Sequence, residues 1–213
     1  MYKTTPIVTD ICWTLYRSNT TFDFLDSIIH KASYRHMRSF FKTGTGRGFN
    51  ILLYRLTHID WQRRWAIRYL KGISEQTLAQ KAEQFVQYLE QNRRIDASFA
   101  VLSQLHAPII LLSGTLDCVA DAVGKHLHAQ AVFSSTLEYR NGVCTGKMKQ
   151  DLLLKKTQVL PPQPFYIITD NKTDLEAIKT AAKAYIVCYS NQAWWEKQSI
   201  NHIVYIHENG ERY

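Results

Sequence analysis

The stretch that decides the fold is IVTDICWTLYRSNTT, residues 7–21. A short apolar lead-in runs into one aspartate, Asp10, and Cys12, Trp13 and Thr14 follow at once. A brief apolar run closing on a carboxylate is the pattern of a buried parallel strand that opens into a reactive loop. The same pattern returns further along. APIILLSG (107–114) closes on Ser113 and Gly114, and FYIITD (165–170) closes on Asp170. AYIVCYS (184–190) and HIVYIHE (202–208) are two more buried strands.

Between these strands the apolar period becomes helical. TLDCVADAVGKHL (115–127), KQDLLLKKTQVL (149–160) and TDLEAIKTA (173–181) read as helices, the second stopping at Pro161-Pro162. AVFSSTLEYRNGVCTG (131–146) reads as a hairpin turning at Asn141-Gly142. Alternating strands and helices predict a doubly wound α/β, Rossmann-like parallel sheet.

Residues 19–105 interrupt that alternation with apolar residues at three- and four-residue intervals, so an inserted helical subdomain is expected there. Its clearest helix is 74–94, with Ser74 as cap and Leu78, Phe85 and Leu89 as stripe. GTGRG (44–48) lacks the lysine and spacing of a phosphate-binding loop and reads as a turn. Trp61 and Trp65, four apart, read as part of a buried stripe. The core is expected over residues 1–17 and 101–213, and the helical cap over 18–100.

Composition bounds the rest. The 213 residues are 46% hydrophobic and 21% charged, which suits one globular domain with an insertion. No apolar run approaches the roughly 18 residues that span a bilayer. The start, MYKTTPIVTD, lacks the apolar stretch of a secretory leader, so a cytoplasmic protein is expected. Cys12, Cys118, Cys144 and Cys188 are scattered, which argues against zinc and against a disulfide framework. The net charge of +8 concentrates in residues 31–72, where basic and aromatic residues interleave. An anionic ligand, a nucleic acid, a basic membrane-surface patch and a plain solvated surface all fit that charge, but aromatics at helical spacing are more often core than stacking platforms, so a nucleic-acid partner is not expected.

In open α/β sheets ligands bind beyond the carboxyl ends of the strands, where Asp10, Ser113 and Asp170 fall and Asp174 follows one turn on. Two carboxylates from different strand ends at one crevice would bind a hard cation such as Mg²⁺.

Here the chain resembles the haloacid dehalogenase-like superfamily. VTDICWTL, LLSGT, a lysine after CTG, and ITDNKTD stand in the order of its four motifs. The helical insertion after the first motif is similar to the phosphoserine phosphatase-like branch. The resemblance implies that Asp10 is a nucleophile that takes up a phosphoryl group from a small phosphorylated substrate. It implies Mg²⁺ on the Asp10 carboxylate, the main-chain carbonyl of Cys12, and Asp170, with Asp174 holding a metal-bound water or the loop. Ser113, Gly114 and Asn171 would contact the substrate or its network, and Thr14 would steady the turn. Of Lys147, Lys149, Lys155 and Lys156, the pattern favours Lys156 or Lys155 as the charge-balancing lysine.

One motif residue departs. The family's first motif is D-x-D-x-[TV], and Cys12 stands where its phosphatases carry the aspartate that works as general acid and base. A thiol can give a proton, but it is a poor base. Three readings follow: a slow phosphatase, a different reaction of the family that does not need that aspartate, or a silent binder of phosphate or Mg²⁺. Asp23 and Asp26 are the nearest acids in sequence that could replace it. The insertion is expected to select the substrate, with Asn19, Thr20, Thr21 or Asp23 near its entrance.

Overall fold

The computed structural model describes residues 5–57, 59–153, 155–162, 164–189 and 192–208. In chain order, strand β1 (Ile7–Thr9) leads to helices α1 (Thr20–Ile28), α2 (Ala32–Lys42), α3 (Gly44–Thr57), α4 (Trp61–Ile67), α5 (Glu75–Asn92) and α6 (Asp96–Leu105). Then come β2 (Ile109–Leu116), α7 (Asp117–His126), and the hairpin β3 (Ala131–Arg140) and β4 (Val143–Gln150). The chain continues through β5 (Tyr166–Thr169), α8 (Leu175–Thr180), β6 (Lys183–Cys188), α9 (Gln192–Glu196) and β7 (Ile203–His207).

These strands form one sheet in the order β4-β3-β2-β1-β5-β6-β7, parallel except for β4. The apolar runs explain why. Ile7, Leu111 and Ile168 pack into one core cluster, while their neighbours Val8, Ile110 and Ile167 pack into another on the opposite face. A strand buried on both faces needs apolar residues at every position, and that is what these runs supply. β1 lies at the topological switch point. The chain winds from it to β2 and β3 on one side, then crosses to β5 on the other. In such sheets the crevice opens at that place.

The hairpin turns at Asn141 and Gly142, both with positive φ, as its two-residue loop requires. Gly146 in β4 marks where the insertion lies against the hairpin. It has φ 76°, and a Cβ there would sit 3.0 Å from the Arg68 carbonyl oxygen. Residues 72–75 extend this contact through Gly72 N–H to Cys144 O (3.0 Å) and Glu75 N–H to Gly142 O (2.8 Å).

Several local expectations are corrected. Residues 44–48 are not a turn but the first turns of α3, because the Thr43 hydroxyl accepts from Gly46 N–H at 3.2 Å and so caps the helix. Residues 149–160 are not a helix. β4 runs to Gln150, and the only regular structure among the described residues of 151–160 is a 3₁₀ turn, Lys156–Val159. Leu152 supplied the helical-looking period, but it is buried from a loop, against the face that holds Val8 and Ile167. Trp61 is exposed, and only Trp65 packs against the core.

Candidate active site

Asp10 follows β1 and is buried (5% exposed). Its backbone is pinned by Asp10 N–H to Ile168 O at 3.1 Å, which ties the end of β1 to β5. One carboxylate oxygen accepts from Ile11 N–H at 2.7 Å. The other accepts from Lys156 Nζ at 2.6 Å. Lys156 also donates to Asp174 Oδ2 at 2.9 Å, and that oxygen accepts from Thr169 Oγ1 at 2.7 Å.

Thus one buried ammonium bridges two buried carboxylates. Burial disfavours the Lys156 charge, but the charges of Asp10 and Asp174 and the bonds to both outweigh it and hold the ammonium above its ordinary pKa. Burial pushes the Asp174 carboxyl up, helped by the Asp10 charge, against the pull of Lys156. Lys155, the other lysine favoured by the pattern, is exposed, as are Lys147 and Lys149.

Asp170 follows β5 and is buried. Thr14 Oγ1 donates to Asp170 Oδ1 at 3.0 Å and accepts from Asp170 N–H at 3.1 Å, so a single hydroxyl orients this carboxylate from the loop after Asp10. The loop itself is strained. Trp13 has φ 55°, costly for a bulky residue. The Tyr189 hydroxyl holds it by donating to the Trp13 carbonyl at 2.8 Å, and the two rings meet edge-on.

The Cys12 side is different. Cys12 Sγ lies 2.8 Å from Thr20 Oγ1 and 3.3 Å from Thr115 Oγ1. Those hydroxyls are 2.6 Å apart, and Thr115 Oγ1 lies 2.9 Å from Ser113 Oγ. A chain of neutral donors therefore runs from the thiol to Ser113. Burial pushes the Cys12 thiol up, and the Asp10 charge adds to it, against the bonds from Thr115 and Thr20. The thiol is therefore protonated at neutral pH.

Neither candidate replacement acid joins this group. Asp23 accepts from Ser18 Oγ at 2.6 Å. Asp26 is held by a two-pronged Arg38 pair, both contacts at 2.9 Å, and by the Tyr34 hydroxyl. Burial raises its carboxyl, but the Arg38 and Tyr34 bonds and the Arg38 charge prevail and leave it below the usual range. A carboxyl so held is ionised at neutral pH and has no proton to give. Asn171 is half-buried, and its side-chain oxygen caps the following turn by accepting from Thr173 N–H at 3.1 Å.

Sequence reasoning missed three contributors. Thr20 was only one of several residues near the insertion's entrance, and Thr115 looked like the start of a helix. Arg63, grouped with the basic patch, is 3% exposed. It donates to Asp151 Oδ1 at 2.8 Å and to the carbonyl of Gly114, so α4 is tied to the β2 end beside Ser113. A signal for Arg63 was present: it shares a three- and four-residue spacing with the buried Ala66, Ile67 and Leu70.

Among the described residues no three His, Cys, Asp or Glu side chains converge on a metal site. The available donors are two carboxylates, Asp10 and Asp170, and the main-chain carbonyl of Cys12. All are hard oxygens, the class Mg²⁺ takes, often with waters completing its shell. The charge fits as well: Asp10, Asp170 and Asp174 are all buried, and the buried Lys156 is bonded to only two of them, Asp10 and Asp174.

A family model of haloacid dehalogenase-like hydrolases matches residues 7–179. No curated protein matches the chain by sequence. Among solved structures, a protein of unknown function from Bordetella pertussis Tohama I is similar at TM-score 0.67 and 14% identity, over 95% of this chain and 99% of that one. A phosphoserine phosphohydrolase-like protein from Francisella tularensis is similar at 0.61 and 15%, over 94% of both chains. A substrate-bound phosphoserine phosphatase is similar at 0.55 and 12%, over 96% of this chain and 94% of that one. At these identities the likeness is one of fold.

Proposed function

The chain belongs to the haloacid dehalogenase-like hydrolase family, and from that premise we propose that it is a slow, Mg²⁺-dependent phosphatase of small phosphorylated metabolites. The observation that carries this reading is the buried bridge from Lys156 to Asp10 and Asp174. An ammonium held beside a strand-end carboxylate neutralises charge where a phosphoryl group would approach, without reorganisation at the moment of reaction.

In this reading a carboxylate oxygen of Asp10 attacks phosphorus. The bond from phosphorus to the leaving oxygen breaks, its electron pair going to that oxygen. Ser113 and the Gly114 amide donate to the phosphoryl oxygens, and Asn171 stands at the edge of the same network. Mg²⁺ on Asp10, Asp170 and the Cys12 carbonyl would lessen the repulsion between the two anions. Thr14 orients Asp170, while Asp174 steadies Lys156. The leaving oxygen takes the proton of the Cys12 thiol. Water then attacks the aspartyl-phosphate, gives its proton back to the thiolate, and releases phosphate. A thiolate formed beside Asp10 in a buried setting is unfavourable, which makes both proton steps slow. We assign substrate selection to a helical cap within residues 18–100, above a core of residues 1–17 and 101–213.

The test is release of phosphate from a panel of small phosphomonoesters. Turnover that needs Mg²⁺ and disappears in Asp10→Asn supports the reading. A rate indifferent to both would sink it. The neutral chain around Cys12, with no base in it, favours one competing reading, a binder of phosphate or Mg²⁺ that does not turn over. Calorimetric Mg²⁺ binding that weakens in Asp170→Asn, with no phosphate release from any phosphomonoester even in Cys12→Asp, would establish that alternative.

A further inference from the structure

The pair α2–α3 turns an apolar face to solvent that the proposed reaction does not use. α2 directs Tyr34 and Met37 inward, but α3 buries only Gly46. Phe40 of α2 and Phe49, Ile51, Leu52 and Leu56 of α3 are between 47% and 71% exposed, and Trp61 follows at 36%. At 100° per residue, Phe49, Leu52 and Leu56 fall on one stripe of α3. Scattered exposed apolar residues are ordinary, but a continuous set on one helix marks an interaction surface.

Charge identifies what that surface meets. Residues 31–72 hold ten Lys and Arg against one acid, Asp60, more than the whole net charge of the chain, +8. Arg38 and Arg63 are used inward, in pairs with Asp26 and Asp151. Arg35 and Lys42 of α2, Arg47 and Arg55 of α3, and Arg64 of α4 are exposed. We propose that α2–α3 is a docking surface for an anionic lipid bilayer, lying in its interface with Phe49, Leu52 and Leu56 turned to the acyl boundary.

The chemistry favours a bilayer over other occupants. Exposed aliphatic side chains gain from hydrocarbon, and the surrounding guanidinium and ammonium groups gain from anionic headgroups, roughly fivefold in partitioning for each basic residue near the surface. A nucleic acid would use the charges and the rings but offers little to Ile51, Leu52 and Leu56. A second copy meeting the same face would bring two strongly basic segments together. Among the described residues no helix is long and apolar enough to cross a membrane, so the association is peripheral.

The experiment is flotation of the full chain with vesicles of phosphatidylcholine mixed with phosphatidylglycerol, against pure phosphatidylcholine vesicles. The expected result is flotation with the anionic vesicles alone, weakened by salt. Leu52→Glu/Leu56→Glu and Arg47→Glu/Arg55→Glu should each lower partitioning by about tenfold or more, with the thermal transition unchanged. Should the first pair lower that transition, Leu56→Gln alone, at the most exposed position, is read in its place. Absence of flotation with anionic vesicles overturns the proposal, and so does flotation that survives loss of the leucines. A dimer that Leu52→Glu/Leu56→Glu dissolves, without vesicle binding, assigns the face to a second copy. Binding of single-stranded RNA that persists in that variant, again without vesicle binding, assigns it to nucleic acid.

Discussion

Asp10 has two unlike sides. Toward Lys156 the contacts are mainly ionic: an ammonium and two carboxylates, buried and within hydrogen-bond distance, with the Thr169 hydroxyl on Asp174. Toward Cys12 everything is neutral: a partly buried thiol linked to three buried hydroxyls. The ionic side can bind and neutralise an incoming anion. The neutral side can donate hydrogen bonds but has little power to accept a proton. In the proposed reaction, charge stabilisation and proton transfer therefore fall on different sides of Asp10, and only the first is supplied with charged groups.

The largest expected effect breaks the ionic side. Lys156→Met leaves Asp10 and Asp174 buried without their cation, which should cost about 3–5 kcal/mol of unfolding free energy in urea titrations. A cost near zero would mean that water already reaches the pair. Next, Cys12→Asp should make the neutral side resemble the ionic one. Placed in this setting beside Asp10, the new carboxyl should titrate high, as a general acid must, and phosphomonoester turnover should rise roughly 10²-fold or more. An unchanged rate would place the limiting step elsewhere.

Two smaller changes sharpen the contrast. Thr14→Val removes both bonds to Asp170 and should cost about 1–3 kcal/mol, with Mg²⁺ binding by calorimetry weakened more than the fold. The mildest is a labelling profile of unmodified protein. Because burial and Asp10 raise the Cys12 pKa, its alkylation should be slow at neutral pH. It should quicken only as pH rises above the ordinary thiol value, near 8.5. Fast labelling at neutral pH, read by peptide mass, would mean a thiolate and a working base.

Much of this was legible in the chain. Ile7–Thr9, Ile109–Leu112 and Tyr166–Thr169 announce buried strands because a strand covered on both faces must be apolar throughout. Asn141-Gly142 announces its turn because few other pairs accept positive φ twice. The positions of the acids were legible too, since Asp10 and Asp170 each follow directly on such a run. The segment 149–160 was not. Its leucines fit a helical period, yet Leu152 is buried from a loop while Asp151 accepts from Arg63 and Ser135. Tertiary burial there outweighed local propensity.

What the sequence determined by itself was the order of strand-end groups and the absence of a carboxylate at position 12, because both are properties of local pattern. What only the tertiary structure decided was which lysine meets Asp10, which hydroxyls surround Cys12, and that Arg63 reaches Gly114. Lys156 and Asp10 are 146 residues apart, and Cys12 and Thr115 are 103 apart. Contacts of that range are set by strand order and register, and no spacing along the chain encodes them.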